Sequence, residues 1–272
     1  MSARGRWADW VPLGLFLVLT AWLVGGALLE SVGGPGASKT AWSSSAVESS
    51  SAAAPAVLLP APAPTEPVSQ PENVAVGTSV LVGVPAAGLV SADWARAAAS
   101  ATGIPHRALL GYAGAALRLA NEQPDCRLGW TTLAALGSIE SDHGSHDGSA
   151  IGADGVAAPG IYGPLLDGSG YDVFVDTDAG RWDANTEFDR AVGPLQFIPA
   201  TWDRWGADGN GDGTADPQQI DDAALATGRY LCDSGDLSAA TAWRAAVYSY
   251  NHVESYVDSV AVAANGYAAR MP

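Results

Sequence analysis

Glu140 is the residue of this chain whose type and position best suit acid–base chemistry. It follows Leu133 and Leu136 at intervals of three and four residues, so the three side chains share one face of a helix predicted over Trp130–Ser141. A carboxylate at the buried end of an apolar face is unfavourable unless it is paired, protonated or catalytic. Apolar surroundings favour the protonated form, which is the form that a general acid needs. The alternative is a glutamate at a helix end that simply reaches solvent.

Gln196 follows a chain break at Gly193 and Pro194 and lies among apolar neighbours. A side-chain amide both donates and accepts hydrogen bonds, which suits it to the hydroxyl and acetamido groups of a saccharide. The alternative is that the amide caps a turn in this segment.

A predicted break between two helices near the end of the chain carries further polar side chains. Tyr250 and Asn251 fall at the break itself, where side chains can point into a cleft. Tyr248 precedes the break and Tyr256 follows it. Core packing is the alternative for Tyr248, and it is the interpretation that we prefer for Tyr256.

Residues 208–216 have the spacing of an EF-hand-type calcium loop. Oxygen ligands fall at positions one, three, five and nine, and position seven would contribute its backbone carbonyl. The predicted calcium site, which would be structural, is formed by Asp208, Asn210, Asp212, Thr214 and Asp216. Position twelve is Gln219 rather than Glu, so a bidentate ligand would have to come from Asp221 or Asp222. The alternative is an acidic, glycine-rich turn that binds no ion.

Composition and charge exclude several classes of function. The formal net charge is −16 with a single lysine, so nucleic acid, which needs clustered Lys and Arg, is not expected as a partner. Between Glu140 and Asp222 there are 17 acidic residues and three arginines, which fits a calcium site, a polar saccharide groove or simple solubility.

His143 and His146 lack the spacing of zinc ligands, and the chain has no nucleophile elbow and no phosphate loop.

The N-terminal region predicts export. Residues 11–29 carry no charge, and as a helix they would span about 28 Å, close to the hydrocarbon core of a bilayer. Arg4 and Arg6 precede them, so the positive-inside rule keeps the N-terminus cytoplasmic. We interpret residues 1–30 as a signal anchor that holds the protein at the cell membrane by one transmembrane helix, with its body outside the cytoplasm. The alternative is a cleaved signal peptide, which would give a secreted protein.

Residues 31–84 are rich in Ala, Pro and Ser and predict an extended, disordered spacer.

Cys126 and Cys232 are the two cysteines of the chain, and both lie in the exported part. An even pair in an oxidising compartment predicts a disulfide. It would brace the segment before the Glu140 helix against a helix ending near Cys232. Two buried free thiols are the alternative.

Residues 85–272 predict one folded, mainly α-helical domain. Ser91 can cap a first helix, Pro105 can begin a second, and Pro199 can open a short helix that ends at Trp205. Further helices are predicted from a cap at Asp221 or Asp222 to Cys232, from a cap at Ser238 to Tyr250, and along an apolar stripe after residue 252. Residues 142–192 lack periodicity, which is typical of a functional loop region. The only strand that the pattern suggests is 171–175.

Three segments together resemble the lytic murein transglycosylases, most closely the membrane-bound lytic transglycosylase B type in an actinobacterial form. They read Ile-Glu-Ser at residues 139–141, Gly-Pro-Leu-Gln-Phe-Ile-Pro-Ala-Thr-Trp at 193–202, and Tyr-Ser-Tyr-Asn at 248–251 followed by Tyr-Val at 256–257. The resemblance covers about residues 90–265. Many relatives have Gly-Leu-Met-Gln or Gly-Tyr-Gly-Gln where this chain has Gly-Pro-Leu-Gln.

The resemblance implies a lysozyme-like helical fold with long loops and one catalytic glutamate. It assigns the catalytic role to Glu140. It implies that a saccharide groove is lined by Ser141, Gln196, Tyr248, Tyr250 and Asn251. Related transglycosylases carry an EF-hand-like site, which makes calcium at residues 208–216 relevant, and no organic cofactor is implied.

The implied reaction cleaves the β-1,4 bond between N-acetylmuramic acid and N-acetylglucosamine in peptidoglycan. A 1,6-anhydromuramoyl product forms, so one carboxyl group suffices, whereas a hydrolytic glycosidase uses two. The candidates for a second carboxylate are Asp142, Asp154, Glu187 and Asp189, by their proximity in sequence alone. The alternatives are a hydrolytic muramidase on the same fold and a non-catalytic, calcium-stabilised module that binds the cell wall.

Overall fold

The computed structural model describes residues 84–169 and 172–271. About half of the described residues are helical, so this part of the chain is mainly α, as predicted. Seven α-helices follow in order: α1 Ala92–Thr102, α2 His106–Glu122, α3 Trp130–Ser141, α4 Pro199–Trp205, α5 Ile220–Cys232, α6 Ala240–Tyr250 and α7 Glu254–Arg270. None of these helices is long and apolar enough to cross a bilayer. The predicted anchor (1–30) and nearly all of the predicted spacer (31–84) lie outside the described residues.

Local sequence signals place several helix ends correctly. Ser91 caps α1, where its hydroxyl accepts a hydrogen bond from the Trp94 amide at 3.5 Å. The bounds of α3 and α4 are those predicted, and α4 begins at Pro199 because proline suits the first turn, where its missing amide hydrogen is not needed. The second helix begins at His106, one residue after the predicted start.

Two predicted helix caps are wrong. α5 is capped by Gln219, whose side-chain oxygen accepts hydrogen bonds from the amides of Asp221 and Asp222. Ser238 does not cap α6, because its hydroxyl donates to Asp236 at 2.7 Å. The first amides of α5 thus bond to Gln219, whereas α6 begins after Ala239 without a side-chain cap, and sequence spacing shows neither outcome.

Two small antiparallel hairpins occupy the region predicted as loop. β1 Ala150–Ile151 pairs with β2 Ala157–Ala158, and β3 Tyr162–Leu165 pairs with β4 Arg190–Val192. Strands of two to four residues are too short for a period-two pattern, so the sequence did not reveal them. The strand expected at 171–175 is wrong over its described part, where Val173 and Val175 form only isolated bridges; Tyr171 lies outside the described residues.

The core lies between four long helices. α2 packs mainly against α5, and α3 packs mainly against α7. Leu133 and Leu136 on the predicted buried face of α3 are fully buried, and so are Tyr256 and Val260 on α7. α3 comes close to α2 because residue 137 is glycine: a Cβ there would lie 2.0 Å from the hydroxyl of Tyr112.

The predicted disulfide between Cys126 and Cys232 is present. It joins the segment before α3 to the last residue of α5, across 106 residues of sequence. The backbone reinforces it nearby, where the Leu237 amide donates to the carbonyl of Cys126 at 2.8 Å. The start of the helix that carries Glu140 is therefore tied to the rest of the core.

Candidate active site

Glu140 lies in the last turn of α3 and remains partly exposed, although the rest of its helix face is buried. Its carboxylate oxygen Oε1 accepts a hydrogen bond from the hydroxyl of Tyr256 in α7. Tyr256 itself is 0% exposed. The carboxyl group is thus held from the core side while one side of the residue still reaches solvent.

Burial raises the pKa of Glu140 from 4.5 to about 7. The hydrogen bond from Tyr256 acts in the opposite direction, because it stabilises the ionised carboxylate and lowers the pKa. No neighbouring carboxylate among the described residues contributes to the shift. A carboxyl group with a pKa near 7 is present in both protonation states at neutral pH, as a group that first donates and then accepts a proton must be.

The backbone turns sharply just after Glu140. Asp142, His143 and Gly144 follow one another with positive φ angles of 49°, 58° and 83°. This left-handed conformation is unfavourable for residues other than glycine, so neighbouring contacts have to hold it. One such contact is the hydrogen bond from the His143 amide to the Gly137 carbonyl at 2.8 Å.

Ser141 connects the end of α3 to the turn at Gly193 and Pro194. It is 2% exposed, its hydroxyl donates to the carbonyl of Pro194 at 2.6 Å, and the same oxygen accepts from the Gly144 amide at 2.8 Å. The resemblance to lytic transglycosylases implied a substrate contact at Ser141. The structure places the hydroxyl inside the protein, where it holds the turn against the helix that carries Glu140.

Gln196 lies in that same turn with a φ of 50°. Its side-chain amide nitrogen donates to the carbonyl of Gly193 at 2.9 Å, which is the turn-capping role left open by the sequence. A Cβ on Gly163 in β3 would lie 2.9 Å from the side-chain oxygen of Gln196, so glycine is what allows the strand to approach. That oxygen has no hydrogen-bond partner among the described residues and is free to accept from a ligand.

Tyr250 holds the turn from its other side. Its hydroxyl donates to the carbonyl of Leu195 at 2.6 Å and lies 3.4 Å from the Thr227 hydroxyl. Burial raises the pKa of Tyr250 well above its ordinary value, and the charge of Glu140 raises it further. The phenol therefore lies within electrostatic reach of the Glu140 carboxylate and stays protonated at neutral pH.

Asn251 and Tyr248 lie at the break between α6 and α7, nearer to solvent. Asn251 follows the last residue of α6, is half-buried, and its side-chain amide has no hydrogen-bond partner within the described part of the chain. Tyr248 is 38% exposed, and its ring packs edge-on against His252 at 5.4 Å between centroids. Both side chains are available to a ligand that approaches from outside.

The three segments singled out by the sequence meet at one turn, residues 193–196. Ser141 bonds to it from the end of α3, and Tyr250 bonds to it from the end of α6. The contact of Tyr256 with Glu140 was not predicted, because the sequence favoured core packing for Tyr256. The residue does belong to the core, and no spacing rule links it to a carboxylate 116 residues away.

The predicted calcium loop is organised by its own backbone. Asp208 accepts hydrogen bonds from the amides of three later loop residues, at 2.6, 3.2 and 2.8 Å, and Asp212 accepts from the Thr214 amide at 2.8 Å. Carboxylate oxygens suit calcium, but those of Asp208 and Asp212 already accept hydrogen bonds within the loop, so an ion would have to share them. Gln219 at position twelve is engaged as the α5 cap, so it cannot complete the site.

The two proposed substitutes for position twelve differ in the structure. Asp221 forms a two-point ion pair with Arg107, at 2.8 and 2.6 Å, and is engaged there. Asp222 is fully buried and accepts three loop amides, from Gly209, Asn210 and Asp216. Burial raises the pKa of Asp222 to about 7. It fits the loop as an internal anchor better than as an ionised ligand.

A second cluster of carboxylates lies in the 176–189 loop. One oxygen from each of Asp176, Asp178 and Asp189 falls within 4.8 Å of the others, a spacing that could hold a cation. Asp189, a candidate second carboxylate, is fully buried and both of its oxygens accept hydrogen bonds from Thr177. Both carboxylate oxygens of Asp189 are therefore used in hydrogen bonds inside this loop.

The three remaining candidates for a second carboxylate also serve other contacts or face solvent. Asp142 is exposed and accepts from the Ser145 hydroxyl at 3.0 Å. Asp154 accepts from the Val156 amide at 3.1 Å, and Glu187 is exposed.

Comparisons of the chain with protein-family models, with curated proteins and with solved structures returned no match. The assignment of a function therefore depends on the residues and geometry described above.

Proposed function

We propose that this protein is a peptidoglycan lytic transglycosylase, an enzyme that cleaves a glycosidic bond without water and uses Glu140 as its acid and base. The observation that carries the proposal is the Glu140 carboxyl group itself. Glu140 is partly exposed at a helix end, the pKa of its carboxyl group is raised to about 7, and the next residue, Ser141, bonds to the turn formed by residues 193–196. The resemblance of three ordered segments to lytic transglycosylases supports the same assignment.

Protonated Glu140 gives its proton to the oxygen of the β-1,4 bond between N-acetylmuramic acid and N-acetylglucosamine, and the bond to the muramoyl anomeric carbon breaks. The resulting carboxylate then takes the proton of the muramoyl C6 hydroxyl, and that oxygen bonds to the anomeric carbon. The 1,6-anhydro ring closes, and Glu140 is protonated again. The sugar supplies its own nucleophile, so no second carboxyl group is needed.

The residues around Glu140 have separate roles in this proposal. Tyr256 positions the carboxyl group and stabilises its ionised form. Ser141 and Tyr250 hold the 193–196 turn in place. Gln196, Asn251 and Tyr248 contact the glycan, through amide groups that suit acetamido and hydroxyl partners and through an exposed aromatic ring.

The wider architecture also fits the proposal. A mainly α domain with short hairpins beside a helix-end glutamate is consistent with a lysozyme-like fold. Peptidoglycan outside the cytoplasm would be within reach of a domain held at the cell membrane by residues 1–30 and the spacer 31–84. Calcium in the 208–216 loop would stabilise the start of α5.

The test is mass spectrometry of the muropeptides that the full-length protein releases from purified peptidoglycan. We expect products lighter by one water, with no reducing end. Glu140→Gln removes the acid and is expected to lower the rate by about 10²–10⁴-fold. The matched control is Glu254→Gln, which removes only one side of a surface ion pair with Arg244.

Other outcomes point to the other functions. Products with a reducing end would identify a hydrolytic muramidase and require a second carboxylate. Binding to peptidoglycan without turnover, by a folded protein, would identify a cell-wall-binding module. Substantial activity in Glu140→Gln would show that Glu140 is not the acid.

A further inference from the structure

A pocket of about 390 Å³ lies against the end of α3, beside Ser138 and Asp142. Two residues of an α-helix correspond to about 200° of rotation, so Ser138 points away from Glu140 and the pocket lies on the other side of the helix. The last turns of α7 form the facing wall, with Ala263, Tyr267 and Arg270. The volume falls at the lower end of the range for small-molecule sites.

Two side chains of opposite charge line this pocket. Asp142 is exposed and one of its oxygens accepts from Ser145, which leaves the other oxygen without a partner among the described residues. Arg270 donates from one guanidinium nitrogen to the carbonyl of Thr102 at 2.8 Å, and this contact fixes the group in place. No ion pair joins Asp142 to Arg270 in the described structure, so each can pair with a ligand.

The remaining polar groups at the pocket are already satisfied, or neutral. The two ring nitrogens of His143 contact the hydroxyls of Tyr112 and Tyr267, at 3.3 and 2.9 Å. Burial lowers the pKa of His143 to about 4, so this ring carries no charge at neutral pH. The Thr102 hydroxyl donates to the carbonyl of Ala98 at 2.7 Å.

Apolar surface completes the lining. Val262 is 74% exposed, and Ala263 and Gly266 lie beside it on α7. A ligand with one cationic group, one anionic group and a small apolar body would therefore meet a complementary partner at each point. An anion alone would pair with Arg270 and leave Asp142 unpaired, and a cation alone would pair with Asp142 and leave Arg270 unpaired, so only a ligand with both charges pairs with both side chains.

We propose that this pocket binds a small zwitterion, namely a free amino acid or a short peptide with free termini. The carboxylate pairs with Arg270, whose planar guanidinium fork matches carboxylate geometry. The ammonium group pairs with Asp142, and the apolar side chain lies on Val262 and Ala263. The proposal does not depend on the function of Glu140.

Isothermal titration of the full-length protein with alanyl-alanine tests the proposal, beside the N-acetylated dipeptide and the C-terminal amide. We expect the free dipeptide to bind and each blocked form to bind at least tenfold more weakly, because each has lost one charge. Asp142→Asn and Arg270→Gln are each expected to weaken binding at least tenfold. Asparagine tolerates the left-handed backbone at residue 142, so the first variant should fold.

The matched control is Arg96→Gln, which removes an exposed arginine of α1 that pairs with Asp93. This control should bind the dipeptide as the wild type does. If Arg270→Gln unfolds, Arg270→Lys replaces it, and that variant should retain the preference for a free carboxylate. Three results would each overturn the proposal. They are equal affinity for the free and blocked dipeptides, binding that both variants leave unchanged, and no heat of binding at the highest dipeptide concentration that the calorimeter can use.

Discussion

At Glu140, two opposing influences set the state of one carboxyl group. Burial raises its pKa, and the Tyr256 hydroxyl lowers it by bonding to the ionised form. In the proposed reaction, a protonated carboxyl is needed to cleave the bond, and an ionised one is needed to take the C6 proton. A pKa of about 7 serves both steps.

We expect Tyr256→Phe to shift the pH dependence of activity. Removing the hydroxyl removes a group that favours the ionised carboxylate, so the pKa of Glu140 should rise further, by about 0.5–1 unit. The protonated acid then persists to higher pH, so kcat/KM should begin to fall at a higher pH on the alkaline side of its profile. The measurement is that pH profile.

Tyr162→Phe serves as the control, because Tyr162 is 39% exposed on β3 and the hydrogen bond to Glu140 comes from Tyr256. A purely structural role for Tyr256 would lower activity at every pH and leave the limb where it is. That result would contradict the positioning role.

At the level of elements, the site depends on a turn held between two helix ends. Ser141 joins the end of α3 to Pro194, and Tyr250 joins the end of α6 to Leu195. Neither bond belongs to a helix or a strand. The position of Gln196 relative to Glu140 is therefore determined by side chains from elements that are distant in sequence.

We expect Ser141→Ala to lower the free energy of unfolding by about 1–3 kcal/mol, because it leaves a buried carbonyl and a buried amide without their shared partner. Activity should fall as well, because the 193–196 turn is no longer tied to α3. Urea denaturation measures the first effect. Ser145→Ala, which removes an exposed hydroxyl bonded to Asp142, is the comparison and should change stability much less.

At the level of the whole molecule, two long-range features hold the helical core together. One is the disulfide between the segment before α3 and the end of α5. The other is the buried Asp222, which joins the start of α5 to the 208–216 loop through three backbone amides. Both act on α5, against which α2 packs most extensively.

Replacing both cysteines, as Cys126→Ser with Cys232→Ser, is expected to lower stability by about 2–5 kcal/mol. The bond closes a loop of 106 residues, so its removal restores much freedom to the unfolded chain. Thermal unfolding under non-reducing conditions measures the loss. Reduction of the wild-type protein should produce a comparable decrease; an unchanged unfolding temperature would show that helix packing alone holds α3 and α5.

Calcium is expected to raise the unfolding temperature, because an ion that binds only the folded protein stabilises it, by about 2.7 kcal/mol at a concentration one hundred times its Kd. Asp212→Asn should remove that response if the ion binds the 208–216 loop. Asp178→Asn should remove it instead if the ion binds the group formed by Asp176, Asp178 and Asp189. The same unfolding temperature with calcium and with a chelator would show that the calcium prediction is wrong.

The sequence by itself determined the features that depend on neighbours along the chain. Helix periodicity placed Glu140 at the end of α3, Ser91 and Pro199 marked helix starts, and the presence of two cysteines left one possible pairing. The helix signals act within a few residues of sequence, and two cysteines can pair in only one way. Local chemistry was therefore sufficient to predict these features.

Only the tertiary structure decided which distant side chains share hydrogen bonds. Tyr256 reaches Glu140 because α7 packs on α3, and Ser141 proves to be an internal tie to the 193–196 turn. The short hairpins and the Gln219 cap likewise escaped the sequence patterns. The physical reason is that a buried polar group takes whichever partner the packed helices bring within hydrogen-bond distance, and that choice depends on the positions of whole elements relative to one another.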